Sequence, residues 1–264
     1  MIKWFLTLKN IIMNFNKGLY KQEKSKVIEL IKKTHDWENT EGFIADGIIN
    51  PDIYEKEQIK VLVILAESYG YNDCGEKEIE DQPHKDIMGL GNSNGQTPRK
   101  IASLLWLLFI SFERGEKIIF DDFLKLELLK ANDTNYSELQ NILSRIAWIN
   151  VKKASKQVDD NNTNQDYVEI YNSAFKNEEI ITKQIISIAP DLIIICSAPV
   201  FDSLNEMELL AIELKDKKYL IQKNMNGQRI IYVSHPSYFR DWGYKGIYKT
   251  FEIIYNSYYL EKAN

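Results

Sequence analysis

Histidine, cysteine, proline and glycine are all scarce in this chain of 264 residues: it has three, two, six and twelve of them, respectively. Cys74 and Cys196 stand far apart and outside any CxxC spacing. That argues against a disulfide framework and against a cysteine-rich zinc or iron-sulfur site, and it fits a reduced, cytoplasmic setting. No stretch approaches the roughly 18 uninterrupted apolar residues that a membrane helix needs. The opening MIKWFLTLKNIIMNF is broken by Lys3 and Lys9 and lacks a small-residue cleavage site, so it does not read as a signal peptide. Positive charge is also in deficit: the net charge is −5, which removes the global basic field of many nucleic-acid binders and leaves only local patches for such contacts. His35 and His84 have no partners at metal-ligand spacing, and there is no P-loop, GxGxxG, HExxH or GxSxG segment.

What the chain does have is apolar substance, 44% hydrophobic against 27% charged, enough for a substantial core. Val27, Ile28, Leu30 and Ile31 recur at helical spacing among charges over residues 21–33. IKVLVILAE (59–67), RIAWINVKK (145–153), DLIIICSA (191–198) and RIIYVS (229–234) are short β-branched or leucine-rich runs that read as buried parallel strands. Between them lie helical patterns. One opens at Thr97-Pro98, a cap followed by proline at the first helical position. Others cover 119–130 and 136–144, a long one 168–188, a short one 200–214, and a closing one 244–259. Ile101, Leu104, Leu105 and Leu108 form a core stripe, and Asp121-Asp122 read as helix-start charges. Strands alternating with helices predict an α/β fold, a three-layer α/β/α sandwich with a short parallel four-stranded sheet. Residues 1–50 read as an N-terminal helical extension to a domain spanning 51–264.

In such sheets ligands bind beyond the carboxyl ends of the strands. Three of the four ends carry distinctive polar residues. Glu67, Ser68, Tyr69, Gly70 and Tyr71 follow the first strand, Asn150 closes the second, and Ser234, His235, Pro236 and Ser237 follow the fourth. Each has a plain structural reading: Glu67 as a loop charge, Asn150 as a turn residue satisfying backbone groups, His235 as a hydrogen-bonded loop histidine.

Taken in order, these ends resemble the uracil-DNA glycosylase superfamily. Ala66-Glu67-Ser68-Tyr69-Gly70 partly matches the GEAPG motif of the thermostable branch. AWINVKK supplies the asparagine ending the next core strand with its following valine and lysine. His235-Pro236-Ser237 reproduces the HPS motif after the last strand, and PDLIIICSA resembles the penultimate strand. The resemblance spans roughly residues 59–250. It implies hydrolysis of the N-glycosidic bond of uracil, or of another deaminated base, in DNA as part of base-excision repair, with DNA as partner, no metal or organic cofactor and no membrane. It leaves protein partners unspecified.

Residue by residue, the resemblance implies that Asn150 reads the base, because a carboxamide offers one acceptor and two donors and can pair with uracil N3–H and O4 together. His235 would donate toward O2, where negative charge grows as the bond breaks. At the first motif, Glu67 beside Ser68 is a candidate to orient the attacking water or else points away from it, and Tyr69 or Tyr71 is a candidate to wall the pocket. Ser237, Ser234, Lys152, Lys153 and Arg240 would meet DNA phosphates. Arg99, Lys100, Lys156 and Lys245 add local basicity at the same predicted edge, with a solvated surface as the plain alternative. Trp242 and Phe239 are candidates either for a wedge or for core packing.

Two departures bear on activity. The branch with an efficient general base carries aspartate, as in GQDPYH, where Ser68 stands here, and serine without a base activates water poorly. The thermostable branch holds an iron-sulfur cluster with four cysteines, which two cannot supply. A catalytically silent module that recognises nucleic acid or a modified base, as in anti-phage defence, is therefore the alternative expectation. A hydrolase of free nucleosides is a third.

Overall fold

The computed structural model describes residues 15–34, 46–66, 96–130, 136–153, 167–210, 221–223, 227–236 and 242–259. Contacts divide the chain into two units, residues 1–83 with 147–233 and residues 84–146 with 234–264. The expected boundary at residue 50 falls within the first unit.

That unit is built on a mixed six-stranded sheet. The strands are β1 (Gly47–Ile48), β2 (Val61–Leu65), β3 (Ala147–Asn150), β4 (Leu192–Ile195), β5 (Ile221–Lys223) and β6 (Arg229–Tyr232), in the order β1-β3-β2-β4-β6-β5. The four strands expected from the apolar runs are present, and each pairs with its neighbour in parallel. The sheet is wider than the expected four strands, because β1 and β5 add short antiparallel edges to β3 and β6. Two or three residues of pairing are too few for a period-2 pattern to show in sequence. All five residues of β2 are buried although successive side chains point to opposite faces, so both faces of the sheet are covered there. At the opposite end, Lys60 and Asp191 tie the starts of β2 and β4 together, main chain to carboxylate at 2.8 Å and main chain to main chain at 2.8 Å.

Helices α1 (Lys17–Thr34), α2 (Pro51–Tyr54), α6 (Tyr167–Lys176), α7 (Glu178–Ile188) and α8 (Ala198–Glu206) belong to the same unit. Asn16 begins α1 by accepting the Leu19 N–H at 3.0 Å, and the helix buries Tyr20, Val27 and Ile31, seven and four residues apart, on a face packed against α7. The Tyr20 hydroxyl accepts the Ile48 N–H at 2.7 Å, so α1 fixes the edge strand β1. Gly47 is required at this approach: its φ is +148°, and a Cβ there would stand 2.5 Å from the Tyr20 hydroxyl. The described part of the expected extension is thus tied into the sheet.

The long helix expected over 168–188 is two helices broken at Asn177. Its main-chain N–H still bonds Ser173 and Ala174, but its side-chain amide donates to Val151 O and Ser173 O, both at 2.9 Å. A side chain that binds the backbone competes with a continuous helix.

The second unit holds α3 (Gln96–Arg114), α4 (Phe120–Lys125), α5 (Tyr136–Leu143) and α9 (Tyr244–Tyr259), with α5 and α9 packed against α3. Helix α3 begins just before the expected Thr97 cap. The stripe Ile101, Leu104, Leu105 and Leu108 is buried as expected. Asp121 and Asp122 lie in the first turn of α4, which is shorter than the expected 119–130 because Glu127 adopts a left-handed φ of +49°. Among the described residues no helix is long and apolar enough to cross a membrane.

Candidate functional site

Register sets the carboxyl ends of the parallel strands level with one another. Leu65 pairs with Asn150, Ile64 with Ile195, and Ile195 with Tyr232. Counted along the chain, the parallel strands lie in the order second, first, third, fourth, so the connections reverse direction between β2 and β4, and such a switch point is where open α/β sheets bind ligands. Glu67, Ser68, Tyr69, Tyr71, Ser237 and Arg240 lie outside the described residues, as do Lys156, Phe239, His35, His84 and Cys74. Cys196, just past β4, is fully buried, and burial pushes its thiol far up, so it is a poor nucleophile or ligand.

Asn150 ends β3 and is 1% exposed. Its surroundings hold the main chain at four successive points. Its N–H donates to Asp46 Oδ2 at 2.5 Å, Val151 N–H to Leu65 O at 3.0 Å, and Lys152 N–H to Ala66 O at 2.9 Å, while Val151 O accepts from Asn177. Asp46 is itself buried at 3% exposure. Its Oδ1 accepts from Lys153 Nζ at 2.7 Å and from Gln184 Nε2 at 2.8 Å, and Gln184 also reaches Asp46 O at 3.2 Å. The network ends at the backbone of Asn150. Among the described residues, the carboxamide Nδ2 is buried without a hydrogen-bond partner, as is Gln184 Oε1. Buried donors are normally satisfied, so an open one at a strand's carboxyl end is the feature of this unit that asks for a ligand.

The two lysines after Asn150 do not sit as a phosphate-facing pair. Lys153 is completely buried and ion-paired to Asp46, so it supports the strand end from within, a correction to its expected place at DNA; burial draws its ammonium below the ordinary value while Asp46 opposes the shift. Lys152 is nearer the surface, with a side chain 10% exposed, and pairs with Glu169 at 3.0 Å.

In the second unit, the carbonyls on both sides of His235 are held. Trp242 Nε1 donates to Ser234 O at 2.7 Å, and Lys100 Nζ donates to Pro236 O at 2.6 Å. Trp242 is buried and so takes its core reading rather than that of a wedge. Lys100 and Arg99, expected toward phosphate, are both buried; Arg99 Nη1 donates to Lys130 O at 2.8 Å. Lys245 is exposed. His235 is half-buried. Desolvation, with the Lys100 ammonium second, lowers its pKa below the ordinary 6.5, which favours a neutral imidazole at physiological pH.

Asn150 and Lys153 therefore come together with three residues that the sequence did not single out, Asp46, Gln184 and Asn177, while Ser234 and His235 share their unit with Lys100 and Trp242. Asp46 sits in a glycine-bearing connection with no periodic signal, and its partner Asn150 is 104 residues away. Among the described residues no group of three or more His, Cys, Asp or Glu side chains is gathered as a metal site would require. No family model matches the chain, and no curated protein matches it.

Proposed function

We propose that the chain is a DNA glycosylase of the uracil-DNA glycosylase kind, with an α/β/α layered fold, that hydrolyses the N-glycosidic bond of uracil or another deaminated base. The observation that carries this reading is the buried carboxamide Nδ2 of Asn150, without a partner among the described residues, at the carboxyl end of a central strand. Its N–H is committed to Asp46 while its Nδ2 donor is not committed among the described residues, and a free side-chain donor is what hydrogen-bonded reading of a base edge requires. A neutral His235 on a loop clamped at both neighbouring carbonyls suits the second role, donation to the oxygen of a departing base without reorganisation at the moment of reaction. The proposed reaction consumes water and needs no metal or organic cofactor. DNA is the partner, met by Ser237, Ser234, Arg240 and Lys152.

Incubation of the protein with single- and double-stranded oligonucleotides tests this. Uracil is released, and Asn150→Ala and His235→Ala each reduce the rate by about 100-fold or more, the scale on which a single transition-state donor acts. Absence of abasic product from uracil, hypoxanthine and xanthine substrates alike would sink the reading.

One specific observation favours a second reading: Ser68 stands where the efficient branch has its aspartate. On that reading the chain recognises a base without cutting. An inactive protein would still bind DNA with a steep dependence on salt.

A further inference from the structure

We infer that Asp46 is a positioning residue for Asn150: its carboxylate, neutralised by Lys153, fixes the strand end from which Asn150 reads a base. This rests on the glycosylase reading and adds to it a residue that touches neither base nor DNA.

A buried ion pair is a poor way to fill space. Two desolvated charges gain little over apolar side chains of the same volume, so the pair calls for another account. Its geometry supplies one. Both carboxylate oxygens are in use, Oδ1 by the Lys153 ammonium and the Gln184 amide, Oδ2 by the Asn150 N–H at 2.5 Å. An apolar pair could pack in the same place but could not accept that N–H.

The contact reaches Asn150 through its main chain, leaving the carboxamide Nδ2 without a partner among the described residues. The neighbouring peptide is pinned independently, by Leu65 and Ala66 on β2 and by Asn177 at the break between α6 and α7. The Asp46 bond is the one contact in this set that acts on residue 150 itself. Because β1 is in turn held by Tyr20 and the glycine at 47, the carboxylate is delivered from a fixed edge rather than a loose loop. Displacement of a reading group by about 1 Å costs on the order of 100-fold in rate, so a single such bond at the base of the side chain is enough to matter.

The test compares two neutralised pairs. D46N/K153M keeps a side-chain acceptor for the Asn150 N–H, and D46L/K153M removes it; neither strands a charge of the pair, and Lys24, which also feels the Asp46 charge, loses it equally in both. Should D46L/K153M not fold, D46S/K153M takes its place, with a side chain too short to span the gap. Backbone amide exchange at Asn150 is expected to accelerate about tenfold or more in D46L/K153M, with Ile193 and Ile194 of β4 as unchanged references, and to stay near wild type in D46N/K153M. On the uracil-bearing oligonucleotide, kcat/KM falls about 100-fold in D46L/K153M. The same change made in an Asn150→Ala background costs nothing further, because a residue acting only through Asn150 has nothing left to position.

Unchanged exchange at Asn150, or a loss that adds in full to that of Asn150→Ala, overturns the inference. If Asn150→Ala alone leaves uracil release and oligonucleotide affinity intact, the glycosylase reading fails instead. The exchange data then still decide whether Asp46 holds the strand end.

Discussion

Lys153 Nζ lies 2.7 Å from Asp46 Oδ1, and neither side chain is exposed to solvent at all. Such a pair is strongly asymmetric in its response to mutation. Replacing Lys153 by methionine alone preserves volume but strands a buried carboxylate, and that is expected to cost about 3–5 kcal/mol. Replacing Asp46 by asparagine in the same protein removes the stranded charge and recovers most of the loss. Chemical denaturation of the two variants checks this. Equal stability of K153M and wild type would show that the carboxylate finds water or another cation when its partner is gone.

The loop of His235 yields a prediction in pH. Burial and the Lys100 ammonium both lower the histidine's pKa below its ordinary 6.5. Between the lowered folded value and 6.5 the unfolded chain binds more protons than the native one, so this group makes stability rise with pH through that window and fall on acidification. Activity should follow the same sign: the acid limb that reports His235 lies below 6.5, because the neutral ring persists to lower pH than a free imidazole. Lys100→Met removes the cation but retains most of the burial, so the limb moves up part of the way toward 6.5. It also frees Pro236 O, and a lower kcat is expected alongside the shift. A pH–rate profile of the two proteins decides it, and a limb that stays put in Lys100→Met would remove Lys100 from the electrostatics of the loop.

Much of the fold could be read along the chain, for a physical reason. Strands β2, β3, β4 and β6 are short, mainly apolar runs with buried centres, and their composition separates them from the amphipathic helices between them. Features that depend on one distant contact could not be read. Helices α6 and α7 share a continuous helical pattern, and they separate because Asn177 spends its amide on Val151, 26 residues earlier. Lys153 looks in sequence like any surface lysine after a motif; only the fold shows that it is interior, opposite an aspartate 107 residues away. The site divides in the same way. The strand-end positions of Asn150 and of the stretch before His235 were legible because an apolar run and its end are local properties. Asp46, Gln184 and Lys100 were not, since what they do is support another residue's backbone from a remote part of the chain.

The last prediction concerns the loop after β2. In the correspondence with the superfamily's first motif, Ser68 stands where the branch with an efficient general base has its aspartate, and it follows β2, whose carboxyl end borders the switch point of the sheet. If Asn150 and His235 are already competent to hold a base and its departing charge, the missing element is a general base, worth about 10²–10⁴ in rate where one is positioned. Ser68→Asp is therefore expected to raise uracil release by a factor in that range, whether the natural protein is slow or silent. The new carboxylate should bring its own acid limb near the ordinary aspartate range, below that of His235. Oligonucleotide affinity should change little, since on the proposed reading the base is still held by Asn150. An unchanged rate in a folded, DNA-binding Ser68→Asp protein would mean that the loop does not deliver residue 68 to the water, and the correspondence drawn between ESYGY and the family's first motif would fail at that position.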